Sequence, residues 1–240
     1  MRGLLLSVCL LPALCASAQA PDGGTQQTMS SIFIFPTPNA AFTATVRSEW
    51  TRILPDGSKA SIFNHRFVAR DSSGRVFQER RYLTPQGDKQ ETEISVLQYD
   101  DPNRHERYQC YPQRQMCERS RLYLPTASPA PMPSGPLPNG NGTMVREDLG
   151  HKAVQGVDAV GSREITTLKV GAFGNEKVQP VVRELWFSPH LQMNLVTERF
   201  DPRASAVQNI YVTDLKRDEP DPKWFQIPSG YRVVGDGLER

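Results

Sequence analysis

The sequence predicts a mainly β protein, a single antiparallel sheet of about eleven strands with little helix. Apolar and polar residues alternate with a period of two along most of the chain, as in 42–51, where Phe42, Val46 and Trp50 fall on one side. Turn formers follow at regular intervals, beginning with Pro55-Asp56-Gly57-Ser58. Convincing helical signals are scarce.

Alternating stretches bounded by turns define the strands in order. They are 42–51, 59–70, 75–83, 91–100, 104–111 and 117–124, then 144–149, 156–169, 178–187, 191–200, 207–216 and 231–234. Residues 125–143 hold six prolines and no charge, and are predicted to be an exposed loop that forms neither strand nor helix. Because each half offers only five or six strands, one continuous β domain over 41–235 is favoured over two domains.

The one helical signal lies at 219–225. Asp221 can cap a helix and Pro222 suits its first position, so a single turn is expected there.

The pattern of the N-terminal residues predicts that the protein is exported. Met1 and Arg2 precede an apolar run from Leu4 to Leu14, and 16–18 is a small-x-small cleavage site, so 1–18 is predicted to be a signal peptide. A lipoprotein is disfavoured, since large residues precede both cysteines of this segment. Residues 19–40 are predicted to be a flexible tail, although 32–35 could dock on the domain. The expected location is periplasmic or secreted.

Composition excludes several classes of partner. The 240 residues carry 28 Lys and Arg against 26 Asp and Glu, and this balance, without clustered aromatics, argues against nucleic acid. No stretch after residue 20 approaches the roughly 20 apolar residues of a membrane-spanning helix.

Cys110 and Cys117 remain after removal of the signal peptide. In an oxidising compartment a disulfide is the default, and the competing metal site would need more ligands than His105 can supply. We therefore expect a disulfide.

No catalytic residue, metal site or cofactor site is predicted. The four histidines are scattered, and neither Gly-x-Ser-x-Gly nor Ser-x-x-Lys occurs. The glycine-rich stretch 171–175 is followed by a strand, so it is interpreted as a hairpin loop, and the acidic group at 214–221 as a cap and turn. The chain is therefore not expected to be an enzyme.

Two surfaces could bind partners. The hairpin at 104–121 carries five arginines, which fits either an anionic or protein partner or a charged edge that resists aggregation. Large apolar side chains on the strands fit either a core or, in a curled sheet, an apolar groove. The candidate ligand-binding residues are Phe42, Val46, Trp50, Phe63, Phe67 and Trp186.

The C-terminal third has a recognisable order of motifs. Strands at 185–200 and 207–216 are followed by 221–230, Asp-Pro-Lys-Trp-Phe-Gln-Ile-Pro-Ser-Gly, which fits a D-x-x-x-F-x-(I/F)-P-x-G element. This order resembles the bacterial lipoprotein-carrier superfamily. Residues 156–164, together with 174–176 and 186–189, also resemble uncharacterised secreted proteins of environmental bacteria. The resemblance covers 42–234 loosely and 156–234 better.

The resemblance implies an open half-barrel whose concave face holds acyl chains. The expected function is therefore an exported, non-enzymatic binding protein for a lipid, a lipoprotein acyl chain or another apolar ligand. The alternative is an envelope module that contacts another protein through the basic hairpin at 104–121 and has no small-molecule ligand.

Overall fold

A computed structural model describes residues 31–85, 93–124, 133–172, 174–202 and 205–235, and the described residues form one compact unit. Fourteen strands form one sheet. They are β1 (Phe42–Ile53), β2 (Lys59–Arg70), β3 (Val76–Arg81), β4 (Thr84–Pro85), β5 (Ile94–Asp101), β6 (Glu106–Tyr111), β7 (Met116–Arg121), β8 (Gly135–Pro136), β9 (Gly142–Val154), β10 (Val157–Leu168), β11 (Gln179–Ser188), β12 (Met193–Asp201), β13 (Ala206–Lys216) and β14 (Arg232–Gly235).

Thirteen strands lie side by side and the sheet does not close into a barrel. Their order is β14-β7-β6-β5-β3-β2-β1-β13-β12-β11-β10-β9-β8, and β4 pairs with β2. The first and last long strands, β1 and β13, therefore join two meanders in the middle of the sheet. The mainly β prediction is confirmed. The two strands it missed, β4 and β8, have only two residues each, too few to show alternation.

One pairing departs from the prediction. β14 runs parallel to β7, with Val233 opposite Cys117, whereas the other pairs are antiparallel. The parallel pairing is possible because residues 217–231 carry the chain from β13 in the middle of the sheet to β7, near its edge.

Chain connectivity requires the sheet to curve. In a flat sheet β7 and β8 would lie eleven strand spacings apart, roughly 53 Å at about 4.8 Å per spacing. The chain from Arg121 to Gly135 reaches at most about 50 Å when fully extended. β7 and β8 therefore lie closer together than a flat sheet would place them.

The loop prediction for 125–143 is partly wrong. Pro136 pairs with Thr143 and Gly135 with Met144, so β8 and the start of β9 lie inside the predicted loop. Proline is compatible with this pairing because β8 is an edge strand, and the backbone N–H that Pro136 lacks would have no neighbouring strand to bond on the outer side. Residues 125–132 lie outside the described residues.

Two local predictions are confirmed. A 3₁₀ turn forms at Pro222–Phe225, where the Asp221 carboxylate accepts a hydrogen bond from the Lys223 N–H at 3.0 Å. Cys110 and Cys117 form a disulfide between directly opposite positions of β6 and β7. A second 3₁₀ turn, Pro112–Arg114, connects these two strands.

Candidate functional site

The sheet has two sides, each with its own core. Residues directly opposite each other in two paired strands point to the same side. Phe42 pairs with Arg70 and Val46 with Arg66, which defines the Phe42 side. Thr45 pairs with Phe67, which defines the Phe67 side.

An extended segment, residues 31–41, covers the Phe42 side of β1 and β2. Ile32 and Ile34 are each 2% exposed and join the core that contains Phe42 and Val46, both 0% exposed. The structure thus confirms the docking that the sequence allowed for 32–35, and the flexible-tail prediction for 19–40 does not hold from residue 31 onward. Residues 19–30 lie outside the described residues.

Two buried arginines hold this segment through its carbonyl groups. The Arg70 guanidinium donates to the carbonyls of Ala40, Phe35 and Leu191, each at 2.8 Å. Arg66 donates to the Ile32 carbonyl at 2.6 Å. Burial lowers the pKa of both guanidiniums. The five N–H groups of an arginine suit this task, because they can satisfy several carbonyls at once.

The segment forms no strand of its own. Its attachment therefore combines apolar burial with hydrogen bonds from side chains and does not need a ladder of backbone pairs.

The Phe42 side becomes polar towards the end of β1. Trp50 pairs with Ile62 on β2 and with Gln208 on β13, so all three share this side with Val46. The indole Nε1 of Trp50 and the amide Oε1 of Gln208 are buried, and neither has a hydrogen-bond partner among the described residues. Buried polar atoms are normally satisfied, so a donor and an acceptor left together on one side are unusual.

The predicted ligand-binding residues do not form one group. Phe42, Val46 and Trp50 share the Phe42 side, whereas Phe63 and Phe67 point to the other side. The Phe67 ring packs 4.5 Å from the Trp224 ring, inside the second core. Sequence alternation showed that each strand had an apolar side, but it did not show which sides of neighbouring strands coincide.

Trp186 is three strands away from β1, opposite Gly161 and Val196. Its ring lies where a Cβ at Gly161 would come within 2.6 Å, and the Lys152 ammonium lies 3.6 Å from the ring centroid. Its Nε1 donates to Glu184 at 2.9 Å, which lowers the pKa of that carboxyl. Trp186 is 7% exposed and belongs to the same buried core as Phe42 and Val46, so the structure brings these three predicted residues into one core.

A cavity of about 350 Å³ lies beside the C-terminal segment. Tyr99, Tyr108, Phe225 and Ile227 provide its apolar lining, and Arg104 is among its charged lining residues. Burial raises the pKa of Tyr99 to about 12. The sequence analysis missed this cavity, because it lies between a strand end and a segment distant in sequence.

The positive charge of the basic hairpin is partly neutralised. Arg107 pairs with Asp100 at 2.7 Å, and Arg104 and Arg119 both lie near Glu106, at 3.1 and 3.8 Å. The remaining two arginines lie over tyrosine rings, Arg114 over Tyr111 and Arg121 over Tyr123.

Within the described ranges, no group of three His, Cys, Asp or Glu residues is arranged to hold a metal ion. No helix in this part of the chain is long and apolar enough to cross a membrane.

Comparisons with known proteins concern the fold. No family model matches the chain and no curated protein matches its sequence. Among solved structures, it aligns with an uncharacterized conserved protein of Thermus thermophilus at 12% identity, covering 82% of this chain and 91% of that one, with a TM-score of 0.39. A LolA superfamily protein of Nitrosomonas europaea aligns at 10% identity, covering 79% and 91%, with a TM-score of 0.31.

MucB in the MucA/MucB complex of Pseudomonas aeruginosa aligns at 14% identity, covering 81% of this chain and 58% of that one, with a TM-score of 0.40. TM-scores below 0.5 carry no inference about ligands or residues.

Proposed function

We propose that the protein is an exported, non-enzymatic binding protein whose Phe42 side accommodates an amphiphilic ligand, with a lipid acyl chain along Phe42 and Val46 and a polar head near Trp50 and Gln208. The observation that carries the proposal is the nature of the cover. A linear apolar segment, held by arginine side chains, occupies a linear apolar surface. A linear apolar ligand has the shape to replace it.

The polar end supplies the head-group contacts. Trp50 Nε1 can donate to an ester, amide or hydroxyl oxygen, and Gln208 Oε1 can accept from a hydroxyl or amide hydrogen. An ester-linked or amide-linked lipid with a free hydroxyl presents both kinds of group.

Two features support export to the cell envelope. The predicted signal peptide at 1–18 would direct secretion. The Cys110–Cys117 disulfide suits an oxidising compartment.

The basic hairpin at 104–121 remains the alternative interaction site. The observation in its favour is that Arg114 and Arg121, which lie over tyrosines, keep their guanidinium charges free of carboxylates among the described residues. Because the other three arginines are paired with carboxylates, the basic hairpin is a weaker candidate for a binding site than the Phe42 side.

The test is binding of a fluorescent monoacylglycerol to delipidated protein. Trp50→Phe removes the donor but keeps an aromatic ring, and we expect at least fivefold weaker binding. Trp224→Phe, on the Phe67 side, is the matched control and should leave affinity unchanged. Equal affinities for the two variants, or no binding by the parent protein, would overturn the proposal.

A further inference from the structure

An unbroken row of apolar side chains crosses strands β9 to β13 on the Phe67 side. The strand register links its members across five neighbouring strands, and the row continues to Thr51 on β1. The members are Val145, Ile165, Val182, Phe200 and Val207, and we call them the apolar row. Val145 is 48% exposed and Phe200 40% exposed, so solvent reaches this surface.

A neighbouring row on the same side, offset by two residues on each strand, is acidic. This acidic row consists of four glutamates, one arginine and one asparagine: Glu147, Glu184, Glu198, Glu49, Arg163 and Asn209. Four carboxylates against one guanidinium leave a net charge of −3. Arg163 is shared between Glu147 at 3.2 Å and Glu184 at 3.1 Å, and within the described part of the chain Glu49 and Glu198 make no ion pair.

We propose that the apolar row and the adjacent acidic row form a docking surface for an amphipathic helix of a protein partner with lysine or arginine residues along one border. Charge complementarity selects this occupant, because unpaired carboxylates beside an apolar strip attract cations and repel anionic lipid head groups. The row spans four strand spacings, roughly 19 Å, which matches about thirteen residues of helix.

This surface is separate from the proposed ligand site. The rows point to the Phe67 side, whereas Phe42, Val46 and Trp50 point to the opposite side. The inference does not depend on lipid binding, and either proposal can fail alone.

The experiment uses two designed eighteen-residue amphipathic helical peptides that share a leucine face, one bordered by lysines and the other by glutamates. Fluorescence anisotropy with the full chain should show at least tenfold tighter binding of the lysine peptide, weakened by salt. Phe200→Ser and Glu198→Lys should each reduce that binding at least fivefold. Val233→Ser, which removes a similarly exposed valine on β14, is the control and should have no effect.

Three outcomes would overturn the proposal. The first is equal binding of the two peptides, or equal effects of Phe200→Ser and Val233→Ser. The second is a dimer of the full chain that Phe200→Ser dissociates in sedimentation equilibrium, which would make the occupant a second copy. The third is binding to phosphatidylglycerol vesicles that Phe200→Ser abolishes, which would make it a membrane.

Discussion

The two halves of the sheet differ in how they are covered. The half built from β1 to β7 has residues 31–41 on its Phe42 side and residues 222–231 on its Phe67 side. The half built from β9 to β13 shares the first core but exposes the apolar row on its other side. Both covers come from chain segments outside the long strands. One long sheet thus carries a closed region and an open region, and we expect stability to depend on the first and partner binding on the second.

The largest effect should follow from loosening the cover on the Phe42 side. Arg70→Met would leave three carbonyls without their donor, and we expect a loss of about 4 kcal/mol in the free energy of unfolding, measured by urea denaturation. Arg114→Met, an exposed arginine over Tyr111, should change it by less than about 0.5 kcal/mol. Equal effects of the two variants would show that Arg70 does not hold the cover.

The second-largest loss in the free energy of unfolding should follow from a substitution in residues 222–231, which cover the Phe67 side. Trp224 packs 4.5 Å from Phe67 and 5.5 Å from Phe77, so Trp224→Ala should cost about 3 kcal/mol. Tyr123→Ala, at a tyrosine that is 76% exposed, should cost less than about 0.5 kcal/mol. A loss below about 1 kcal/mol for Trp224→Ala would mean that the 222–231 segment does not stabilise this half.

The disulfide in the same half should have a slightly smaller effect. Its closed loop of eight residues corresponds to about 2.5 kcal/mol in the chain-entropy model, so Cys117→Ser should lower the melting temperature but leave the protein folded. Free thiols in the purified parent protein would contradict this prediction.

Substitutions in the open half, β9 to β13, should change the free energy of unfolding least. The pKa of Glu184 is lowered by Trp186 Nε1 and then by Arg163, so its contribution to stability is present above the unfolded value and is lost as pH falls through the folded pKa. Because the pair is partly exposed, Glu184→Gln should cost at most about 0.5 kcal/mol at pH 7, and this cost should shrink as pH falls towards 3. A larger loss that persists at pH 3 would point to packing as its cause.

The sequence was sufficient to predict what is local. Alternation and turns located twelve of the strands, Asp221 and Pro222 located the 3₁₀ turn, and two cysteines located the disulfide. Strand order was not predictable in this way, because pairing of β1 with β13 joins residues about 160 positions apart and leaves no local periodicity.

The candidate site was predictable only in part for the same reason. Alternation placed Phe42 and Val46 on one side of β1, but the sequence could not show that Phe63 and Phe67 point the other way. Ile32 and Ile34 carried a signal in their apolar alternation, and the arginines that hold them carried none. A buried arginine looks like a surface arginine until the fold places carbonyl groups around it.

The most direct test of the central claim is whether the 31–41 segment competes with an apolar ligand. Ile34→Asp places a charge at a position that is 2% exposed, whereas Phe33→Asp does so at a neighbour that is 49% exposed. We expect Ile34→Asp to bind the fluorescent monoacylglycerol at least tenfold more tightly than the parent protein and Phe33→Asp to match the parent. Unchanged or weaker binding by a folded Ile34→Asp protein would contradict the account.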